Sequence, residues 1–437
     1  MEREYTYDPY AFSIFEGIDQ EAFLIAAYRI EASGDREPSK VAEALAAEAT
    51  TGTWLRVPTE TDEIRERSQG KVLGVYEFPA EGDSRKFLAL VAHPLANFGD
   101  GMPITMVMTG IAGNIYSMGL ASVKLVDLFM PKSFLREFKG PKFGIGGLRD
   151  LLHVGDRPLV GAIMKPKLGM APREVAKVCY EAAAGGADLI KDDEMQSNPS
   201  YCKREDRLSA AMEAIDRGCQ ESGKKCLYAL NITDEVDKMP EIAEWAVQAG
   251  ANCLLINYVT AGYSILRAIA EDPSIKVPIL AHPAMARAFM RPERLGMNYS
   301  VIKKLVRICG ADLTVLSTPY GKMYQPISEY FWSVRALRDP LHGIKAAMPA
   351  LGGAVYPGLA MQHVNDIGID FMMIAGGGIL GHPMGTKAGV RAMVQASIAA
   401  AKGIRLEEYA RDHEELRAAI EKWGVYERPK EVVFKPK

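Results

Sequence analysis

The chain has 437 residues, 48% apolar and 24% charged, with a formal net charge of −3. That length exceeds one ordinary core and predicts two domains, while the faintly acidic balance gives no reason to expect nucleic acid or an anionic membrane as a partner. No apolar run is long enough to span a bilayer, the opening MEREYTYDPY lacks the basic and apolar regions of a secretion signal, and six scattered cysteines (Cys179, Cys202, Cys219, Cys226, Cys253, Cys309) without a CxxC pair read as reduced thiols of a cytoplasmic protein.

Residues 21–127 show no regular alternation of strand and helix. Ala22 to Ala32 reads as a strand and Lys40 to Ala49 as an amphipathic helix. Val72 to Glu77 and Phe87 to Ala92 read as further strands, and Gly113 to Ala121 as a second helix. This predicts an N-terminal α+β domain with an antiparallel sheet over residues 1–135. Phe134 to Leu152, rich in Gly and Pro, reads as a linker with some order of its own.

From Arg157 onward short apolar runs recur, separated by helix-length amphipathic stretches. They are Pro158–Met164, Ala187–Ile190, Cys226–Ile232, Asn252–Asn257, Val277–Ala281, Asp312–Leu316, Lys345–Leu351 and Phe371–Ala375. Eight such units over about 250 residues predict an α/β domain, a (β/α)8 TIM barrel over residues 136–437. A helical tail from Leu406 to Trp423 is expected to pack on its outside.

A barrel places its chemistry at the C-terminal ends of its strands. The first run ends in Lys165-Pro166-Lys167-Leu168-Gly169, and the second in Lys191-Asp192-Asp193-Glu194. The third ends in Asn231, the fifth in His282, and the sixth leads to Ser317 and Lys322. A lysine beside three carboxylates is the pattern of a buried ion pair and equally of a metal site, and spacing alone does not separate the two. The last two runs end in Gly352-Gly353 and Gly376-Gly377-Gly378. A glycine pair is commonly only a turn. Both pairs, however, fall in the two loops where barrels cradle phosphate with backbone N–H groups, which favours a phosphorylated substrate.

Plainer roles compete for several residues. His93, His153, His342, His363, His382 and His413 lack metal-ligand spacing and read as structural. Lys167 could simply hold Glu194, Asn114 could cap a helix, and Trp54 could be packing. The Met-rich stretches read as core filler.

The runs GAIMKPKLG, GGADLIKDDE and GGGILGHPMG, with TTGTW and GNIY upstream, resemble the large subunit of ribulose-bisphosphate carboxylase (RuBisCO) over nearly the whole chain. The resemblance implies a homodimer in which one subunit's N-terminal domain completes its partner's barrel site. It further implies that CO2 converts Lys191 to a carbamate, which joins Asp193 and Glu194 on one Mg2+. A neutral amine must attack CO2, and burial would lower the lysine's pKa toward that form. Lys165 resembles the lysine that handles protons at the enediolate, with Lys167 in the same loop. His282 resembles the histidine near the substrate hydroxyls, and Lys322 the mobile-loop lysine. Gly352, Gly353, Gly376 and Gly377 match one phosphate pocket, and Glu48, Thr53, Trp54 and Asn114 the positions that reach the partner's site.

Departures from the carboxylase pattern are equally specific. Pro283 stands where carboxylases carry an arginine, Val315 where they carry a histidine, and Leu351 where they carry a serine. Those groups grip the second phosphate, so the far end of this pocket is expected to be apolar and to suit a monophosphate with an uncharged or thioether tail. This is similar to the RuBisCO-like proteins (form IV). AHPLANFG, GPKFGIGGLRD, NITDEVD and GHPMGTKAG resemble members from photosynthetic green bacteria. The resemblance implies Mg2+-dependent enolisation or isomerisation of a phosphorylated keto-sugar derivative, such as the methylthio-sugar phosphates of methionine salvage. Salvage enolases have a lysine near Asn114 and lack the Lys165 equivalent, whereas this chain keeps Lys165. Decarboxylation or carboxyl transfer on a branched sugar-acid phosphate is the alternative; true carboxylation and binding without catalysis are disfavoured.

Overall fold

The computed structural model describes residues 17–52, 56–79, 82–119, 121–323 and 325–427. Thr53 and Trp54, two of the expected site residues, lie outside them. The N-terminal sheet is built from β1 (Phe23–Ser33), β2 (Lys71–Glu77), β3 (Ser84–Pro94) and β4 (Ala121–Phe129). Central β1 pairs antiparallel with β3 and β4, and β2 adds to the far edge of β3. The helix Pro38–Glu48 buries Val41, Ala42, Leu45 and Ala46 against β2 and β3.

The helix expected over Gly113 to Ala121 does not form. Helical backbone occupies Ile104–Ala112, a short 3-10 turn covers Asn114–Ser117, and Ala121 opens β4. The backbone folds back at Gly113, where a Cβ would meet the Thr109 carbonyl oxygen at 2.4 Å. Only glycine ends the helix in that way.

All eight apolar runs become barrel strands: β5 (Leu159–Ile163), β6 (Leu189–Lys191), β7 (Leu227–Asn231), β8 (Cys253–Ile256) and β9 (Ile279–Ala281), then β11 (Leu313–Ser317), β12 (Met348–Gly352) and β13 (Met372–Ala375). A two-residue β10 (Gly296–Met297) lies between β9 and β11 in sequence but outside the barrel. The eight strands are parallel and closed. Leu159, Leu189, Leu227, Leu313, Met348 and Met372 share one core inside the barrel, while Val160, Ile190, Tyr228, Leu254, Leu316 and Met373 belong to the core between strands and helices. Both faces are buried, so the strands read as unbroken apolar runs.

The expected linker holds a helix, Gly144–Leu152, whose Leu148 and Leu152 join the barrel's inner core. Asp312 fixes its start, accepting from the Phe143 and Gly144 amides at 2.6 and 2.9 Å and from Ile279 N at 2.9 Å.

The segment after β9 is fastened to the N-terminal sheet. β10 pairs parallel with β4, Gly296 beside Lys124 and Met297 beside Leu125. Lys124 Nζ donates to the carbonyls of Met290 at 2.9 Å and Pro292 at 2.7 Å, and Asn298 N to that of Leu125 at 2.8 Å.

The tail forms Leu406–Tyr409 and Glu414–Trp423 and packs on the helix Thr386–Ala401, as expected of an outer layer. Its last residue departs from that expectation, because Trp423 lines a cavity at the barrel mouth. No helix of the described residues is long and apolar enough to cross a membrane.

Candidate active site

Side chains on a strand alternate, so the inner-core residues fix which later positions face the axis. Two residues beyond Leu189 is Lys191, and two beyond Ala229 is Asn231; the same step leads from Leu280 to His282, from Val315 to Ser317, from Ala350 to Gly352 and from Ile374 to Gly376. The rim is thus assembled by the register that packs the core.

Lys191 is 1% exposed at the end of β6. Its Nζ donates to the Asp192 carbonyl at 2.7 Å and lies 3.3 Å from Glu194 Oε2. Lys165 Nζ is 2.8 Å from Asp193 Oδ2, and Lys167 Nζ is 2.9 Å from Glu194 Oε1 and 3.9 Å from Asp193 Oδ1. The plain role of Lys167, holding Glu194, is therefore realised. His282 Nε2 stands 3.6 Å from Glu194 Oε2. Asn231 Nδ2 donates to the carbonyls of Asp193 and Glu194 at 3.1 and 3.0 Å, and Asn257 Nδ2 to that of Glu194 at 2.8 Å, which fixes the acidic loop.

Asp192 takes no part in the cluster. It is fully buried, 3.1 Å from Arg207 Nε, and accepts from Asn231 N at 3.0 Å and from the Tyr228 hydroxyl. It is the structural ion pair of the motif, whereas Asp193 and Glu194 face the lysines, and Glu194 also lines the cavity.

Burial lowers the pKa of Lys191, although Glu194 and Asp193 push the other way. Burial, aided by the charge of Lys191, depresses His282 to about 3, so its imidazole is neutral near pH 7. Burial alone would raise Glu194, but Lys191, His282 and Lys167 together hold it below the usual carboxylate range.

Three ammonium groups here face two carboxylates, a surplus of positive charge. Among the described residues, no group of three His, Cys, Asp or Glu could hold a metal ion. Asp193 and Glu194 offer oxygen donors suited to Mg2+, and a third must come from a neighbour. Converting Lys191 to a carbamate supplies it and reverses the charge imbalance. The residues fit a divalent cation on that condition.

The cluster opens into a cavity of about 540 Å³ that Lys322, Gly352, Gly353, Gly376 and Gly377 also line. Gly353 has φ +90°, and its carbonyl accepts from Lys322 N at 3.1 Å, which ties the loop after β11 to the loop after β12. Gly377 has open space where a Cβ would stand, and Gly376 and Gly377 begin a short helix, Gly377–Leu380. First-turn amides have no partner within a helix and are suited to an anion.

Glu48 and Asn114 meet elsewhere. Both line a separate cavity of about 400 Å³ on the N-terminal domain with Thr50, His93 and Asn97, not the barrel cavity of the same chain. Asn114 does not cap a helix, since Gly113 occupies the cap position and Asn114 is the first residue of the turn.

The far end of the barrel cavity corrects the sequence reading. Pro283 and Val315 line it as expected, but Leu351 does not; it is fully buried in the outer core one residue out of phase with the rim. Nor is this end wholly apolar. Arg287 and Ser317 line it, with Arg287 Nη2 donating to Ser317 Oγ at 2.5 Å. Arg287 lies on the short helix Ala286–Met290, one turn past the proline. Sequence reasoning missed Arg287 and Trp423. A basic residue one helical turn beyond Pro283 was the available signal for the first; nothing local marks the second.

The family described as "Ribulose bisphosphate carboxylase large chain, catalytic domain" matches residues 144–423, and its N-terminal domain matches residues 16–134. A ribulose bisphosphate carboxylase-like protein from Archaeoglobus fulgidus is 43% identical over 417 residues, covering 93% of this chain and 94% of the relative. The rubisco-like protein MtnW from Alicyclobacillus acidocaldarius superposes with TM-score 0.85 at 33% identity, covering 93% of this chain and all of the other (100%). The dimeric archaeal Rubisco from Hyperthermus butylicus superposes with TM-score 0.86 at 32% identity, covering 95% and 99%. A chain matched along both domains, with the lysine–carboxylate cluster at its barrel mouth and the second-phosphate arginine and histidine replaced, belongs to the RuBisCO large-chain family, among its RuBisCO-like proteins.

Proposed function

We propose that this protein is a Mg2+-dependent enolising enzyme acting on a phosphorylated keto-sugar derivative. The observation that carries the reading is the convergence of Lys165, Lys167 and Lys191 on Asp193 and Glu194, in a cavity bordered by two glycine loops. Asp193, Glu194 and carbamylated Lys191 would hold the metal, which supplies a Lewis acid beside a substrate carbonyl. The remaining work falls to the chain's own groups. Backbone N–H groups of Gly352, Gly353, Gly376 and Gly377 hold the phosphate. Lys165 moves the proton on the carbon next to the carbonyl. Neutral His282 accepts a hydrogen bond from a substrate hydroxyl, and Lys322 covers the phosphate from the loop after β11.

Glu48 and Asn114, with Thr53 and Trp54, complete the site of a second subunit in a homodimer. That Glu48 and Asn114 line a cavity other than the barrel cavity of their own chain, and that an archaeal relative is dimeric, support this. Six free cysteines support a cytoplasmic location. Pro283, Val315, Met285 and Met323 around the cavity suit the tail of a methylthio-sugar monophosphate, as for a 2,3-diketo-5-methylthiopentyl-1-phosphate enolase. Arg287 beside Ser317 favours a second reading, decarboxylation or carboxyl transfer on a sugar-acid phosphate.

The test is proton exchange in D2O, followed by NMR with Mg2+ and bicarbonate, across phosphorylated ketoses, methylthio-ketoses and sugar acids. Substrate C–H exchange that needs Mg2+ is expected. A protein that binds such compounds without exchanging any C–H overturns the enolising reading.

A further inference from the structure

Arg287 reaches the cavity by an unusual route. Met285, just before its helix, adopts a left-handed backbone at φ 71°, a conformation that non-glycine residues rarely hold. The chain thereby turns sharply off β9 and brings Arg287 to Ser317, the rim residue of β11. Gly376 and Gly377 follow β13, three strands further round the barrel in the order β9, β11, β12, β13. The cavity therefore carries a guanidinium and a hydroxyl at one place and glycine amides at another. Pro283 and Val315 line it alongside the guanidinium and contribute no charge.

We infer that Arg287 and Ser317 form a specificity subsite for a carboxylate on the substrate. The inference rests on the reading that the glycine loops take a phosphate on the same molecule. A guanidinium presents parallel N–H donors to the two oxygens of a carboxylate. One guanidinium with one hydroxyl balances a monoanion and matches the two oxygens of a carboxylate. The substrate is accordingly a sugar acid phosphate, with its carboxyl on the β9–β11 side. Arg287 is half-buried, which strengthens the attraction by excluding water from it.

The test compares two ligands of equal length, erythronate 4-phosphate and erythritol 4-phosphate, which differ in a carboxylate against a hydroxymethyl group. Calorimetric binding to the full-length protein is expected to favour the acid by about tenfold or more. Arg287→Met should erase that preference by lowering the affinity for the acid far more than that for erythritol 4-phosphate, and Arg287→Lys should restore only part of it. An unchanged circular dichroism spectrum reports that the variant is folded. Equal binding of the two ligands by the wild type, or an undiminished preference in Arg287→Met, overturns the carboxylate subsite. Failure of both ligands to bind overturns the phosphate reading, and the subsite falls with it.

Discussion

Gly376 has no side chain at the place where the alkyl chain of Lys165 lies: a Cβ there would sit 3.0 Å from both Cγ and Cε of the lysine. The glycine thus gives Lys165 its path. Gly376→Ala should push Lys165 away from Asp193, because the flexible lysine yields more easily than backbone. Turnover should fall about a hundredfold for a displacement near 1 Å. Stability should change by no more than about 1 kcal/mol in a urea melt. A variant with full turnover would show that the position of Lys165 does not matter.

Lys191→Ala should abolish Mg2+ binding and turnover together. A readout independent of activity is available: 13C-bicarbonate with Mg2+ should give the wild type a carbamate carbon signal in NMR, absent from the variant. A Lys191→Ala protein that binds Mg2+ as tightly as the wild type contradicts the ligand assignment.

Lys165→Met should separate metal binding from proton transfer. Asp193 loses an ion pair but keeps its place in the loop, so Mg2+ binding by calorimetry should persist. Exchange of the substrate proton should fall by about 10² to 10⁴. Exchange at the wild-type rate would move the role of base to the Lys191 carbamate or to His282.

Ribulose bisphosphate should not be carboxylated. Pro283 and Val315 line the cavity where carboxylases have an arginine and a histidine, and each missing charge-assisted contact costs about 1.5–3 kcal/mol. Pure protein given labelled bicarbonate is expected to yield no labelled 3-phosphoglycerate; its appearance would mean that Arg287 alone suffices for the second phosphate.

His363 links stability to pH. It is fully buried, neither ring nitrogen has a hydrogen-bond partner among the described residues, and burial depresses its pKa from 6.5 to about 3. The unfolded chain takes up the proton first, so the contribution is complete above about pH 6.5 and lost as pH falls toward 3. The slope is about 1.4 kcal/mol per pH unit for one group. Buried His93, depressed to about 4, acts in the same direction. Urea melts between pH 7 and 4.5 should show a shallower loss for His363→Leu than for the wild type; equal slopes would mean that the proton is taken up elsewhere.

The barrel was legible because its strands are buried on both faces, and short apolar runs between amphipathic stretches have few other uses. Lys165, Lys167, Lys191, Asp193 and Glu194 were legible because the inward register brings neighbouring strand ends together. The misreadings have particular causes. ITMVMTGIAGN is uncharged and mostly apolar, so periodicity could not place the helix end, and the decisive feature was the backbone turn at Gly113. Leu351 was assigned to the pocket although period two turns it outward. Asp192 and Asp193 are identical in sequence and differ only in facing Arg207 or the lysines. Arg287 and Ser317 are 30 residues apart and meet only after the turn at Met285.

The pairing of β10 with β4 gives the N-terminal sheet a say in selectivity. The loop carrying Arg287 leaves the barrel at β9 and is pinned between Met290 and Asn298 to a strand of the other domain, through Lys124 and the Gly296–Met297 pairing. Selectivity at the mouth therefore has its anchor outside the barrel. Sequence drift in β4 can shift the loop that carries Arg287 while Lys191, Asp193 and Glu194, at the end of β6, stay where they are.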